Sequence, residues 1–234
     1  MTTTALSCGN VDHGTRPERA GLRWFDLPAQ PRREDVDPIL AETTDRVIVH
    51  GTDADLAAVV LRLLRRDLLS TLAVGYVPVV TSPASALWGI PVGNFEQALD
   101  SPPTPSPLVR DDSGGVLLGR GVITPITGQV YCDDRRMLHG SARAVEVFPD
   151  PAAPALPEPT DDPLTTLPAP VETGLTTRVT HRGLLRRRRE TAGGRAMQAG
   201  FESATVHRDG VAHPRPLTRC AWYRHTRDLL LVRP

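Results

Sequence analysis

The chain contains no lysine, so all 27 of its basic residues are arginine. Lysine is the residue that forms Schiff bases with carbonyl substrates and that contacts phosphate in nucleotide-binding P-loops. Its absence excludes both kinds of chemistry. The arginines are balanced by 27 acidic residues, and the net charge of zero gives no overall attraction to nucleic acid or to a membrane surface. A nucleic-acid partner is therefore not expected.

Cysteine is also scarce, with three widely separated residues, Cys8, Cys132 and Cys220. An odd number without C-x-x-C spacing excludes a disulfide framework and a cysteine-rich zinc site. The seven histidines show no ligand spacing, and we assign no metal-binding residue. The first residues lack the charged start and apolar stretch of a signal peptide, and no apolar run approaches the ~20 residues of a membrane span. The composition thus predicts a cytoplasmic protein without a membrane span.

The pattern of apolar residues predicts an α/β fold with a β-rich second part. Residues 1–20 are polar and predict a flexible tail, whereas residues 21–100 alternate short strands with helices. Residues 101–234 contain short β-branched segments separated by turns. Within them, residues 149–172 are acidic and hold eight prolines, which predicts an extended surface loop. We expect a small Rossmann-like βαβα layer followed by an antiparallel β-sandwich domain.

The helix that follows residue 52 has the strongest periodicity in the chain. Its apolar residues recur at i, i+3, i+4, i+7 and i+8, as Leu56, Val59, Val60, Leu63 and Leu64. Directly before it, Thr52 and Asp55 form a T-x-x-D sequence that is typical of a capping box. A carboxylate in that place occupies the positive helix end that a phosphate would need.

Two strand-to-helix loops, G-T-D-A-D-L at Gly51 to Leu56 and P-V-V-T-S-P at Pro78 to Pro83, resemble motifs of the catalytic fold shared by diacylglycerol kinases and NAD kinases. The family motif G-G-D-G-T-L falls on Gly51 to Leu56, where the first glycine, the aspartate and the leucine are kept. The motif P-x-G-T-x-N falls on Pro78 to Pro83, and W-G-I-P at Trp88 to Pro91 resembles the family's L-G-I-P. A later D-G-E turn resembles Asp209 to Val211. The order and spacing match from about residue 46 to the C-terminus.

The resemblance implies a phosphotransferase that uses ATP and Mg²⁺ to phosphorylate a hydroxyl group of a lipid or a nucleotide. It assigns Asp53 as the catalytic residue, in contact with the nucleotide or its metal, and Thr81 as a phosphate contact. The other nucleotide-binding residues that it implies are Gly51, Thr52, Ser82, Asp209 and Gly210. The partner that it implies is a nucleotide, and a homo-oligomer is left open.

The departures from the family pattern fall on the residues that would approach phosphate. In the first loop Thr52 and Ala54 replace glycines and Asp55 replaces threonine. Val80 replaces a glycine of the second loop, and Val211 replaces the last carboxylate. Side chains at glycine positions obstruct the approach of backbone N–H groups to phosphate. The sequence therefore also supports a non-catalytic pseudo-kinase that serves as a binding or interaction module.

Each candidate residue has a structural interpretation as well. Asp53 is typical of a turn or helix cap, Ser82 before a proline is typical of a helix start, and Asp209-Gly210 is typical of a hairpin turn. The only dense positive charge, Arg186 to Arg189, fits either a solvated edge strand or a site for anions or RNA.

Overall fold

The computed structural model describes residues 2–9, 16–157, 173–181 and 188–234. The chain forms two compact units, the first made of residues 1–106, 209–211 and 229–234 and the second of residues 107–208 and 212–228. The helices of the described chain are α1 (Arg33–Glu42), α2 (Asp53–Arg65), α3 (Pro83–Trp88) and α4 (Phe95–Asp100). None of them is long and apolar enough to cross a membrane.

The described strands follow one another along the chain as β1 (Thr3–Cys8), β2 (Leu22–Leu27), β3 (Arg46–Gly51), β4 (Ala73–Pro78), β5 (Pro103–Ser106), β6 (Val109–Asp111), β7 (Val116–Leu117), β8 (Gly121–Thr124), β9 (Ile126–Cys132), β10 (Arg135–Pro149), β11 (Leu175–His181), β12 (Arg189–Gly194), β13 (Ala196–Arg208), β14 (Val211–Ala212), β15 (Leu217–Arg224) and β16 (Leu229–Val232).

The first unit is built on a sheet with the strand order β2-β1-β3-β4-β16-β5. All neighbouring strands are parallel except β5, which runs antiparallel to β16 at the edge. Pro103 and Pro105 lie in β5, and an edge strand accommodates them because the missing N–H groups leave no ladder bond unmade. The predicted α/β class is confirmed.

The prediction of a flexible tail over residues 1–20 is wrong for Thr3–Cys8. This strand lies between β2 and β3, and its residues from Thr4 onward are buried. The hydroxyl group of Thr43 donates a hydrogen bond to the hydroxyl of Thr4 at 2.9 Å, so a polar residue is accommodated inside the sheet. The sequence did not predict this strand because a run of three threonines shows no alternation of apolar and polar residues.

The predicted β-rich domain, residues 101–234, is longer than the second unit of the structure at both ends. Strand β5 belongs to the first unit, and so does β16, which pairs in parallel with β4. The sequence predicts that Leu229–Val232 belongs to the β-rich domain, and this prediction is wrong. Three of the strand's four residues are buried, and it pairs with β4 in the first sheet through Leu231 and Val74, which are 157 residues apart in sequence.

Helix α2 packs on the sheet as its periodicity predicts. Leu56, Val59, Val60 and Leu63 are fully buried. Burial of each such side chain contributes roughly 1.5–3 kcal/mol relative to exposure. The helix axis and its N-terminus at residue 53 are therefore held by a substantial apolar contact.

The second unit is the predicted antiparallel β-rich domain. The long strands β10 and β13 each change partners along their length: β10 pairs first with β9 and then with β8 and β11, and β13 pairs with β9 and β15 before β8. Register shifts within both strands mark irregularities in their ladders. The core contains fully buried large residues, among them Trp222, Ile123 and Ile126.

A buried arginine joins the first part of the proline-rich loop to the residue that follows the loop. Arg224 donates hydrogen bonds to the carbonyl oxygens of Pro154 and Thr173, each at 2.8 Å, and forms an ion pair with Asp228. Asp228 in turn accepts a hydrogen bond from the N–H of Leu156 at 2.7 Å. Most of the predicted loop over residues 149–172 lies outside the described residues, as do Arg186 and Arg187.

Helices α1 and α2 are joined by a bidentate ion pair that should make the first unit sensitive to acid. Arg62 donates to both carboxylate oxygens of Asp37 at 2.8 and 2.9 Å, and both side chains are largely buried. These hydrogen bonds lower the pKa of the Asp37 carboxyl group, against the opposite effect of burial. Stability from this pair is therefore present above the unfolded pKa of ~3.9 and is lost as the pH falls through the folded value.

We predict that Asp37→Asn lowers the free energy of unfolding by about 1–2 kcal/mol at pH 7 because the charge-assisted pair is lost. The difference from the wild type should narrow below about pH 4, which urea unfolding at several pH values would measure. Arg33→Gln is the matched control, since Arg33 approaches the same carboxylate but its side chain is 80% exposed. A difference that stays constant down to pH 2.5 would contradict this account.

Candidate functional site

The candidate site begins where β3 ends and α2 starts. Gly51 is the last residue of β3, Thr52 is the N-cap of α2, and Asp53 is the first helical residue. Asp53 is only 5% exposed. A buried carboxylate is unfavourable unless hydrogen bonds satisfy its oxygens, so the partners of Asp53 define what this site does.

The carboxylate of Asp53 accepts three hydrogen bonds from β4 and α3. Its Oδ1 accepts from the hydroxyl of Tyr76 at 2.9 Å and from that of Ser82 at 2.5 Å. Its Oδ2 accepts from the backbone N–H of Ala84 at 3.0 Å. The predicted catalytic residue is therefore placed as an acceptor that ties the first turn of α2 to the neighbouring strand and helix.

Tyr76 is a member of this site that sequence reasoning missed. Burial, together with the adjacent Asp53 carboxylate, raises the pKa of the Tyr76 phenol well above its usual range, so the group remains a neutral donor. A tyrosine inside the otherwise apolar strand A-V-G-Y-V-P was the available signal, because a buried phenol needs a hydrogen-bond partner.

A second buried carboxylate, that of Asp55, occupies the N-terminus of α2. Its Oδ2 accepts from the N–H and the hydroxyl of Thr52 at 2.8 and 2.7 Å, and the N–H of Asp55 donates to the Thr52 hydroxyl at 3.4 Å. The capping box predicted from T-x-x-D is thus formed. The Oδ1 of Asp55 also accepts from the N–H of Gln30 at 2.6 Å, which links the loop after β2 to the helix.

Gly51 has a steric role in the same arrangement. A Cβ atom at this position would lie 2.7 Å from the Oδ2 of Asp55 and 3.1 Å from its Cβ. The glycine kept from the family motif therefore makes room for the chain's own carboxylate.

The second loop, between β4 and α3, is also closed by internal hydrogen bonds. Ser82 and Ser85 form a reciprocal capping box, in which each hydroxyl accepts the other residue's N–H, at 2.8 and 3.1 Å. Thr81 is exposed, and its side chain makes no hydrogen bond within the described chain. Val80, at the family's glycine position, is 62% exposed. Of the predicted residues in this loop, only Ser82 meets Asp53.

Asp209 and Gly210 form the two-residue turn between β13 and β14. Their φ angles are +47° and +84°, as a tight hairpin turn of the I′ type requires. Asp209 is 5% exposed, whereas Gly210 is exposed. The backbone of Asp209 and Gly210 is thus that of a hairpin turn, as the structural interpretation of this motif predicts.

Neither metal ligation nor thiol chemistry is evident in the described part of the chain. No group of three or more His, Cys, Asp or Glu side chains among those residues is placed to hold a metal ion. Cys8 lies near the site, but burial, and then the charge of Asp55, raises the pKa of its thiol to about 12. A thiol of that kind is not a nucleophile at neutral pH.

We predict that Asp53→Ala lowers the free energy of unfolding by about 2–4 kcal/mol, because three donors lose a charged acceptor in a buried place. Tyr76→Phe removes one of those donors and should cost about 1–2 kcal/mol. Urea denaturation would measure both changes. Thr81→Ala, an exposed change in the adjoining loop, is the control and should stay within about 0.5 kcal/mol. If Asp53→Ala and Thr81→Ala changed the free energy of unfolding by equally small amounts, the buried hydrogen bonds of Asp53 would contribute little to stability.

A matched pair of glycine substitutions tests the closeness of Asp55. Gly51→Ala should destabilise by about 1–3 kcal/mol because its methyl group meets a carboxylate that is already hydrogen-bonded. Gly200→Ala, also in a strand, has no heavy atom within 4 Å of the added Cβ and should leave stability unchanged or raise it by up to about 1 kcal/mol. Thermal unfolding of the two variants measures the difference. The account is wrong if the two behave alike.

A scan against protein-family models and a search of curated protein sequences found no match to this chain. Solved structures do match. A diacylglycerol kinase from Bacillus anthracis str. Sterne superposes with a TM-score of 0.67 at 13% identity, over 100% of this chain and 97% of the other. An NAD kinase from Archaeoglobus fulgidus in complex with ATP gives 0.58 at 12% identity, over 99% and 94%.

Yeast NADH kinase complexed with NADH gives a TM-score of 0.60 at 9% identity, over 100% of this chain and 84% of the other. At these identities the likeness concerns the fold, and the predicted resemblance is confirmed at that level. The chain therefore has the fold shared by diacylglycerol kinases and NAD kinases.

Proposed function

We propose that this chain is a non-catalytic protein with a kinase-like fold, and that it serves as a binding or interaction module. The observation that carries the proposal is the use of its own carboxylates at the N-termini of both α2 and α3. Asp55 accepts from the first of these helix ends, and Asp53 accepts from the second. These are the helix ends at which the family's loops would receive phosphate.

The residues present fit Mg²⁺ and ATP poorly. The N–H groups of Thr52 and Asp55 are bonded within the capping box of α2, and those of Ser82, Ala84 and Ser85 are bonded around α3. Both carboxylates that a metal ion would need already accept hydrogen bonds, that of Asp53 from the buried hydroxyl of Tyr76 and that of Asp55 from the N–H of Gln30. Binding of the nucleotide would first have to break these contacts.

Electrostatics acts in the same direction. A phosphate placed at the start of α2 would lie within a few ångströms of the Asp55 carboxylate, and two such anions repel by roughly 1 kcal/mol or more, depending on the local dielectric constant. The missing lysine leaves arginine as the only strong cation that could offset this repulsion.

The alternative is phosphoryl transfer from ATP, with Mg²⁺, to a lipid or nucleotide hydroxyl. It is favoured by one observation, the presence of Asp53 at the family's aspartate position. In that reaction Asp53 would position the metal or the acceptor, and Thr81 would contact phosphate.

Thermal unfolding and product formation together separate the two functions. We predict that millimolar ATP with Mg²⁺, or NAD, leaves the midpoint unchanged, and that no ADP forms with diacylglycerol or NAD as acceptor. A true ligand at 100 times its Kd would stabilise the protein by ~2.7 kcal/mol, which the assay resolves. Turnover of ATP that Asp53→Asn abolishes would refute the proposal.

A variant that restores the family's first loop tests the physical reason for the loss. Thr52→Gly, Ala54→Gly and Asp55→Thr together remove the capping carboxylate and two side chains from the start of α2. ATP with Mg²⁺ should raise the unfolding midpoint of this variant more than that of the wild-type protein. An equal response from the two proteins would mean that Asp55 is not what excludes phosphate.

A further inference from the structure

The second unit carries an open trough of about 830 Å³ on the outer face of its sheet, where β9, β13 and β15 run side by side. Gly200 on β13 pairs with Gln129 on β9 and with Arg219 on β15. Two residues earlier, Gln198 pairs with Tyr131 and Ala221 on the same strands. These residues share one face because their pairs lie two positions apart, and the side chains between them point into the core.

The floor of the trough is formed by small residues. Gly200 is exposed, and no heavy atom lies within 4 Å of where its Cβ would stand. Ala221 lies diagonally beside it on β15 and presents only a methyl group. A glycine in an interior strand weakens the sheet by roughly 0.5–1 kcal/mol relative to alanine, and it often marks a place where a ligand approaches the backbone.

Polar side chains stand around the floor of the trough. They are Asp112, Gln129, Tyr131, Gln198, Glu202 and Arg219, together with Thr127 and His139. Those of Gln198, Glu202 and Arg219 make no hydrogen bond or ion pair with any other residue that the structure describes. The Tyr131 hydroxyl donates to the Oε1 of Gln129 at 3.1 Å, which orients the amide and leaves its NH₂ group available.

The charges of the rim decide which ligand class suits it. Asp112 and Glu202 outnumber the single guanidinium of Arg219, so a phosphate or a nucleic acid would meet net negative charge. The amide, carboxylate and guanidinium groups each offer two coplanar hydrogen-bonding atoms, and together they supply both donors and acceptors. Neighbouring hydroxyl groups on a ring match such paired atoms, and the C–H face of the ring can lie on the small floor.

We propose that this trough binds an uncharged, hydroxyl-rich ring, that is, a sugar or a cyclic polyol. The site goes beyond the function proposed above, because it lies wholly in the second unit and uses none of the residues around Asp53. Glu202 and Asp112 accept from hydroxyl groups, Arg219 and Gln198 donate to them, and Gly200 admits the ring to the backbone.

Nuclear magnetic resonance titration of the full chain, labelled with ¹⁵N, tests the proposal. The probes are methyl β-D-glucopyranoside and myo-inositol, with inorganic phosphate as the anionic comparison. We expect saturable shifts from at least one of the two polyols, confined to residues around Gln198, Gly200 and Arg219, and no saturable response to phosphate at the trough.

Gly200→Val is the decisive variant, because its side chain fills the floor while a β-branched residue suits a strand. It should weaken binding of the polyol by at least about tenfold, equivalent to ~1.4 kcal/mol. Thr205→Val, an exposed change on the same strand that does not line the trough, should bind as the wild type does.

Gln198→Ala, which truncates an exposed rim residue without altering the backbone, provides the test should Gly200→Val fail to fold. It too should weaken binding several-fold. Absence of a saturable shift with both polyols, shifts located elsewhere, or unchanged affinity in the rim and floor variants would each overturn the proposal. A saturable response to phosphate at the trough would do so as well.

Discussion

The arrangement of the loops that follow β3 and β4 depends on the carboxylate of Asp53. This carboxylate joins the first turn of α2 to Tyr76 on β4 and to both Ser82 and Ala84 at the start of α3. A buried carboxylate without partners would cost several kcal/mol, so these three donors and their acceptor stabilise one another only as a set. The geometry of both loops follows from that mutual requirement.

The contacts that stabilise these loops are the ones on which the proposed loss of phosphate binding rests. A helix N-terminus offers unpaired N–H groups and a partial positive charge, and any anion of suitable size can satisfy them. In this chain Asp55 supplies the anion for α2 and Asp53 supplies it for α3. A side chain that is already in place loses little entropy on forming the contact, whereas a nucleotide must also displace it.

Features of this arrangement that involve residues close in sequence could be predicted, whereas contacts between residues far apart in sequence could not. The helical face of α2 and the Thr52–Asp55 capping box could be predicted because both depend on residues within two turns. The partners of Asp53 lie 23 to 31 residues away, so the aspartate could be recognised without its bonds being known. Strand β1 was not predicted because its consecutive threonines show no alternation of apolar and polar residues.

Long-range pairing explains the remaining differences between sequence and structure. The parallel pairing of β16 with β4 joins Leu231 to Val74, and no local pattern indicates to which sheet an apolar strand belongs. The trough also depends on long-range pairing, because its floor and rim include residues of β9, β13 and β15 and the residue after β6, which are separated in sequence. Gly200 indicates a binding surface only when its neighbours on the two adjacent strands are known.

The residues of the first loop that differ from the family motif are consistent with the proposal that this chain does not bind phosphate. Replacing glycine by a residue that can adopt the same backbone stabilises a protein by about 0.4–1 kcal/mol, through the entropy of the unfolded chain. A capping residue such as Thr52 adds about 1 kcal/mol. Loops that bind ligands forgo such gains because their N–H groups must remain open. On that proposal the side chains at positions 52, 54 and 55 form a coherent set, because each would stabilise the fold at the expense of access for phosphate.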